Sequence, residues 1–301
     1  MPSVYKNANA QRNVRRWCLE RIEAWEVEHV RTEVTTSAGS TSVLGAGPSD
    51  DGAPGIVLVP GTNMNAALCL SVAGTLAARR RTIVLDVPGQ PGLSSGGRPV
   101  HGRMGWYGKW LGEVLEQVAP GPVVVVGHSL GGAIALSCGS ERIAGRVLLS
   151  TAGLARARVS PALLAATVPW LARPSLSRAA GLLRHMAAPD RSLPPELAEW
   201  MALVARECRS SLAPAPLPRT VVERRRSVPC LVATGRHDAF FPPPALSAAV
   251  RERLGTECRV IEGAGHLLLD EEPAAVAALV HALHAVVTGR DGSSPSSDAV
   301  G

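Results

Sequence analysis

Three side chains able to perform acyl transfer stand in the order Ser129, Asp238, His266, each just after a run of apolar residues. Ser129 lies in VVVVGHSLGGAIAL, where four valines lead into Gly-His-Ser-Leu-Gly-Gly and then into small helix formers. A serine hydroxyl is a weak nucleophile until a neighbouring base takes its proton and a third group orients that base. Gly127 and Gly131 remove the Cβ atoms that would collide where a strand presses on a helix, so Ser129 can sit at the apex with its hydroxyl pointing outward. This is the G-x-S-x-G nucleophile elbow. The five-residue pattern alone also fits an ordinary strand-to-helix loop. The valine run before it and the small-residue helix after it favour the elbow.

The base and the acid must lie at other strand ends of the same sheet. His266, in IEGAGHLLLDEEP, follows the last strand-like run; Asp238, in LVATGRHDAFFPP, follows the one before. A right-handed crossover makes two such strand ends neighbours. A lone histidine is more often a loop residue, but His266 occupies the place where the base is required. The competing carboxylates are Asp86, Glu262 and Asp270. Asp86 ends TIVLDV and is expected to fix the loop PGQPGLSS through backbone hydrogen bonds. Asp270 reads as a charge near the N-terminus of the last helix. His128 is expected to be a packed elbow residue, and His237 is not needed for the chemistry. Oxyanion donors are expected from the backbone of Leu130 and of Thr62 in LVPGTNMN, with Gly61 letting the turn bend and Asn63 as the alternate donor. The same PGTN is also simply a tight turn.

These residues need a scaffold of alternating elements. Residues 11–25 read as a helix, and 27–36 with 41–44 as a strand pair. Strands are then expected at 56–59, 82–87, 123–126, 146–150, 230–234 and 258–261. Helices are expected at 66–79, 104–118, 131–140, 243–254 and 273–287. Continuous apolar strands separated by helices predict a mostly parallel central sheet flanked by helices. From 152 to 226 only helical segments broken by prolines occur, so an all-helical cap is expected over the carboxyl ends of the strands. The expected organisation is an N-terminal helical extension (1–25), a core (26–151 and 227–288), the cap (152–226) and a disordered tail (289–301). Trp170, Met186 and Trp200 in the cap, beside Val168, Leu171, Leu182, Leu183 and Met201, suggest an apolar pocket or the cap's own core.

Composition sets bounds on partners. The 301 residues carry a net charge of +6, almost wholly from arginine, since Lys6 and Lys109 are the only lysines. Together with the Ala, Gly and Pro bias this looks like the product of a GC-rich bacterial genome. The clusters 79–81 and 224–226 are basic, yet no recognition motif or aromatic interleaving accompanies them, so nucleic-acid binding is not expected. Six scattered cysteines without C-x-x-C spacing read as small buried hydrophobes of a reducing compartment. The N-terminal stretch lacks an apolar h-region, and no run of 18 apolar residues occurs; a cytoplasmic protein without a membrane span is expected. No metal-ligand spacing is present, and no cofactor is expected. The oligomeric state is not legible.

Through VVVVGHSLGG, GRHD, GAGH, the turn PGTN and the loop DVPGQPGLS, the chain resembles the α/β-hydrolase fold family over residues 25 to 288. Pro60-Gly61 stands where the family usually has His-Gly, and the D-x-P-G-x-G-x-S loop carries one extra residue. Serine as nucleophile disfavours the dehalogenase and epoxide-hydrolase branches. The resemblance implies a serine hydrolase that cleaves an ester or related acyl compound, a small apolar acyl or ring substrate, through an acyl-enzyme intermediate. In that reading Ser129 is the nucleophile, His266 the proton shuttle and Asp238 its orienting acid. Alternatives are a lyase, cyclase or carbon–carbon bond-forming enzyme of natural-product biosynthesis, a thioesterase working with an acyl carrier protein, and a ligand-binding receptor with an idle triad. Fold alone does not choose among them.

Overall fold

The computed structural model describes residues 1–48, 53–209 and 213–289. Helix α1 (Ala8–Glu23) precedes a hairpin of β1 (His29–Thr36) and β2 (Gly39–Ala46). Then β3 (Gly55–Val59), α2 (Leu70–Ala77), β4 (Thr82–Leu85), α3 (Arg103–Val118), β5 (Val123–His128), α4 (Leu130–Ser137) and β6 (Ile143–Leu149) alternate. Four helices follow, α5 (Pro161–Ala172), α6 (Leu176–Arg184), α7 (Pro195–Glu207) and α8 (Arg219–Glu223). The alternation resumes with β7 (Cys230–Gly235), α9 (Pro243–Leu254), β8 (Cys258–Ile261), α10 (Leu268–Glu271) and α11 (Pro273–Val287). The eight strands form one sheet in the order β1-β2-β4-β3-β5-β6-β7-β8. The pairs β1/β2 and β2/β4 are antiparallel and every other pair is parallel.

Side chains alternate across a strand, so each strand feeds two cores. Ile56, Leu58, Val124 and Val126 join the layer that includes α1, α2 and α11, whereas Val57, Val59 and Val125 join the layer of α3, α4 and α9. Val124, Val125 and Val126 are wholly buried, each contributing about 1.5–3 kcal/mol. Such continuous burial is what a β-branched run on a two-sided parallel sheet supplies. Inside β6 the sequence places an arginine, Arg146, only 1% exposed. Its Nε and Nη2 donate to the carbonyls of Ala135 and Cys138, at 3.0 and 3.1 Å, closing the C-terminal end of α4. Burial lowers its pKa to about 10, so it remains cationic at neutral pH.

The expected strands and helices recur with shifted ends, and two differ in kind. The helix expected over 66–79 divides into a 3₁₀ turn, Ala66–Leu68, and α2, because the Ala66 amide is drawn onto the Asp86 carboxylate at 2.7 Å. Helix α10 was not foreseen. Four cysteines are buried, but Cys230 and Cys258 are only half-buried, and all six are free thiols. The tail expected to be disordered lies, but for Gly289, outside the described residues. Among the described residues no helix is long and apolar enough to cross a membrane.

The four-helix insertion between β6 and β7 is tied to the rest of the chain at several places. Lys6 Nζ donates to the Ala205 and Arg206 carbonyls at the end of α7. Trp17 of α1 packs on Trp200 with ring centroids 4.7 Å apart. Trp200 Nε1 donates to the Asn63 carbonyl at 2.6 Å, and the His266 amide to the Met186 carbonyl at 2.7 Å, so the insertion rests on the loops after β3 and β8.

Candidate active site

The end of β5 holds Ser129 at φ 51° and ψ −111°, a left-handed conformation that costs a non-glycine residue about 1–3 kcal/mol. Packing and hydrogen bonds enforce it. The Ser129 amide donates to Leu149 O at 2.9 Å, and its carbonyl accepts from the Gly132 and Ala152 amides at 3.1 and 3.0 Å. A Cβ on Gly131 would overlap the Val59 carbonyl, and one on Gly127 would lie 2.5 Å from Gly131 O. Ser129 can therefore stand at the apex only because those two positions are bare.

Asp238 and His266 meet at the ends of β7 and β8. His266 Nδ1 lies 3.1 Å from each Asp238 carboxylate oxygen, and both side chains are almost wholly buried. Oδ1 also accepts from the Phe240 and Phe241 amides, each at 2.8 Å, and Oδ2 from Thr234 Oγ1 at 3.1 Å. Burial pushes this carboxyl up, but His266, Ser150 and the Phe241 amide outweigh it and hold the pKa well below the usual carboxylate range. With Nδ1–H committed to a permanent anion, Nε2 is the basic nitrogen of His266. The ring is boxed edge-on by Phe240, centroids 4.7 Å apart.

The main chain of His266 is held as firmly as its ring. Glu271, five residues on, accepts the Gly265 and Leu267 amides on Oε2, both at 3.0 Å, and the Ala188 amide on Oε1 at 2.6 Å. A Cβ on Gly265 would lie 2.4 to 2.7 Å from backbone atoms of 186–188, which is why a glycine precedes the histidine. On the other side His128 Nε2 donates to the His266 carbonyl at 2.8 Å. Burial, with His266 nearby, lowers the His128 pKa to about 4, so its imidazole is neutral at pH 7 and is a packed elbow residue.

The turn after β3 passes directly over the elbow: a Cβ on Gly61 would lie 2.9 Å from His128 Nδ1 and 3.3 Å from Ser129 Cβ. Gly61 serves this close approach and not the bend expected of it, since the positive φ falls at Asn63, 61°. The Asn63 amide donates to Gln90 Oε1 at 3.0 Å, so the alternate oxyanion donor is already occupied. The Thr62 and Leu130 amides have no hydrogen-bond acceptor among the described residues.

Of the aromatic and methionine residues expected to line a pocket, Trp200 is 0% exposed and bonds Asn63, and Trp170 is buried with Nε1 on the Met201 carbonyl at 2.8 Å. Trp170 belongs to the packed interior of the insertion, and Trp200 to its seam with α1 and the loop after β3. Met186 is half-buried and reaches the site through its carbonyl. Val168 and Leu171 point to solvent. A cleft of about 460 Å³ reaches Leu130 and Gln90 between α3 and α8. Its lining includes neither Ser129 nor His266.

The competing carboxylates do other work. Asp86 takes the Leu93 amide at 2.6 Å besides that of Ala66, fixing the loop after β4. Glu262 forms an exposed pair with Arg236. Asp270 departs from the helix-end charge expected of it: its Oδ2 is buried without a partner. Burial, then the Glu271 and Glu196 carboxylates, raise its pKa from 3.8 to about 7. Between those values the folded chain retains a proton that the unfolded chain has lost, so stability is fully present below the lower pH and declines as pH rises through the upper. Asp270→Asn is expected to raise the Tm at pH 8 by a few degrees and to leave it unchanged at pH 3, as read by thermal unfolding.

The chain matches the Alpha/beta hydrolase family over residues 56–279 and belongs to it. Lipase LipV of Mycobacterium tuberculosis is 30% identical over 219 residues, 60% of this chain and 78% of that protein. The pimeloyl-[acyl-carrier protein] methyl ester esterase of Aeromonas hydrophila is 33% identical over 82 residues, 27% of this chain and 30% of that protein. The crystal structure of naproxen esterase (carboxylesterase NP) from Bacillus subtilis superposes with a TM-score of 0.75 at 22% identity, covering 93% of this chain and 99% of that one. The protein is an α/β-hydrolase enzyme, with esterases and lipases among its relatives.

Proposed function

We propose that the protein cleaves a carboxylic ester through an acyl-enzyme on Ser129. Ser129 Oγ attacks the carbonyl carbon while His266 Nε2 takes its proton. The oxyanion so formed is bound by the Leu130 and Thr62 amides. The imidazolium, stabilised by Asp238, then protonates the leaving alcohol, and water repeats the sequence to free the acid. The observation that carries this reading is the conjunction of a strained serine at a strand-to-helix apex with a buried histidine whose Nδ1 is locked on a carboxylate. The ester and lipid substrates in the names of the relatives support the acyl class. The helical insertion, resting on the loops after β3 and β8, acts as the cap of the site.

A fluorophosphonate probe is expected to label the protein on Ser129, with labelling and p-nitrophenyl ester turnover both lost in Ser129→Ala. Peptide mapping of the label to another serine would overturn the assignment. Incorporation of ¹⁸O from labelled water into the acid product checks that the second step is hydrolysis.

A further inference from the structure

Helix α5, PALLAATVPWLA, contains no charged residue, yet only Leu163 and Trp170 of its side chains are buried. A surface helix ordinarily turns a polar face to water. Here the outward face is apolar: Leu164, Val168 and Leu171, spaced i, i+4, i+7, are 53%, 56% and 38% exposed. Val159 just before the helix and Leu176 at the start of α6 extend the patch at 58% and 56%. Five of the nine large apolar side chains exposed among the described residues thus fall within one stretch of the insertion.

The charge of the surrounding segment is one-sided. From 152 to 189 the sequence has five arginines, Arg156, Arg158, Arg173, Arg178 and Arg184, and no aspartate or glutamate. All five are exposed. The groove running on from Leu176 between α6 and α7 shares Arg184 and adds Arg191, itself paired with Glu272, with Glu199 the single acid on its lining. An apolar stripe rimmed by guanidinium groups matches a surface with an anionic headgroup plane over a hydrocarbon layer.

We propose that α5 and the start of α6 form a docking face for an anionic phospholipid bilayer. Leu164, Val168, Leu171 and Leu176 enter the acyl boundary, and Arg156, Arg158, Arg173 and Arg178 meet lipid phosphates. This surface stands apart from the chemistry at Ser129 and is tested without it. Full-length Ser129→Ala protein, which cannot remodel lipid, is incubated with sucrose-loaded vesicles of equimolar phosphatidylglycerol and phosphatidylcholine, or of phosphatidylcholine alone, and sedimented.

The expected result is binding to the anionic vesicles, weak binding to the neutral ones, and loss at 0.5 M salt, where the Debye length falls to about 4 Å. Adding Leu164→Ser and Val168→Ser is expected to lower the partition coefficient about tenfold or more, while the same pair in the active enzyme leaves short-chain ester turnover unchanged. No binding to anionic vesicles, or equal binding by the double variant, would overturn the proposal. A wild-type dimer that the double variant converts to monomer would assign the stripe to a second copy. Binding of an acidic carrier protein, abolished by the double variant and without any vesicle binding, would assign it to a protein partner; either result would also overturn the lipid face.

Discussion

Asp238→Asn is expected to lower kcat by about 10³–10⁴-fold with the fold intact. The reason is specific to this carboxylate's surroundings. Oδ1 is claimed by two main-chain amides, those of Phe240 and Phe241, so an asparagine must place its oxygen there. Its NH₂ then points at His266 Nδ1, where Oδ2 had been. Of the two oxygens 3.1 Å from Nδ1 only Oδ1 then remains, already shared by two amides, and the opposing NH₂ favours the tautomer with its proton on Nε2, the nitrogen that in the proposed mechanism accepts from Ser129. The protein remains folded because the two amide bonds survive. Steady-state turnover of a p-nitrophenyl ester checks this, with Asp86→Asn and Asp270→Asn as controls. A near-silent Asp238→Asn beside a crippled control would mean that a different carboxylate orients the base.

Glu271→Ala is expected to cost at least about 3 kcal/mol of stability, because it strands three buried amides that share one carboxylate, at about 1–3 kcal/mol each. Glu271→Gln is the more informative change. Its single carbonyl can serve either Ala188 or the pair Gly265 and Leu267, and its NH₂ must then oppose a backbone donor on the other side. The loop carrying His266 loses its grip on one flank. We expect a folded enzyme with kcat reduced about 10- to 100-fold and KM little changed. Urea unfolding separates the stability loss from the kinetic one. Glutamine kinetics indistinguishable from wild type would show that the loop holds its shape without this carboxylate.

Much of this arrangement is legible in the amino-acid order. Valines 123–126 can form only a buried strand, and an apex serine between glycines follows from their steric needs. Asp238 and His266 announce themselves by falling immediately after the last two apolar strands. What sequence reasoning missed depends on side chains reaching distant main chain. Nothing local distinguishes Glu271 from its neighbours in DEEP; only the fold shows that its two oxygens reach 265, 267 and 188. Gln90 similarly engages Asn63 across 27 residues, which no periodicity reports. Trp170 and Trp200 were ambiguous because an aromatic in a helix packs equally well on ligand or on protein. Their indole N–H groups, both on main-chain carbonyls, decide for the protein.

The main-chain bond between Met186 and His266, with the Glu271 bridge to Ala188, bears on how such an enzyme can be diversified. Helical insertions in such a hydrolase look like interchangeable parts, to be grafted between relatives when a new selectivity is wanted. Here a graft that altered the backbone path of 186–188 would also take the Met186 carbonyl away from the His266 amide and the Ala188 amide away from the Glu271 carboxylate. A chimera built that way is expected to lose turnover on every substrate, old and new alike. The junction has to leave 186–188 in place, and Trp200 imposes a similar constraint through Asn63. Helix α5, which makes neither connection, is where sequence can drift or be redesigned at the least catalytic cost.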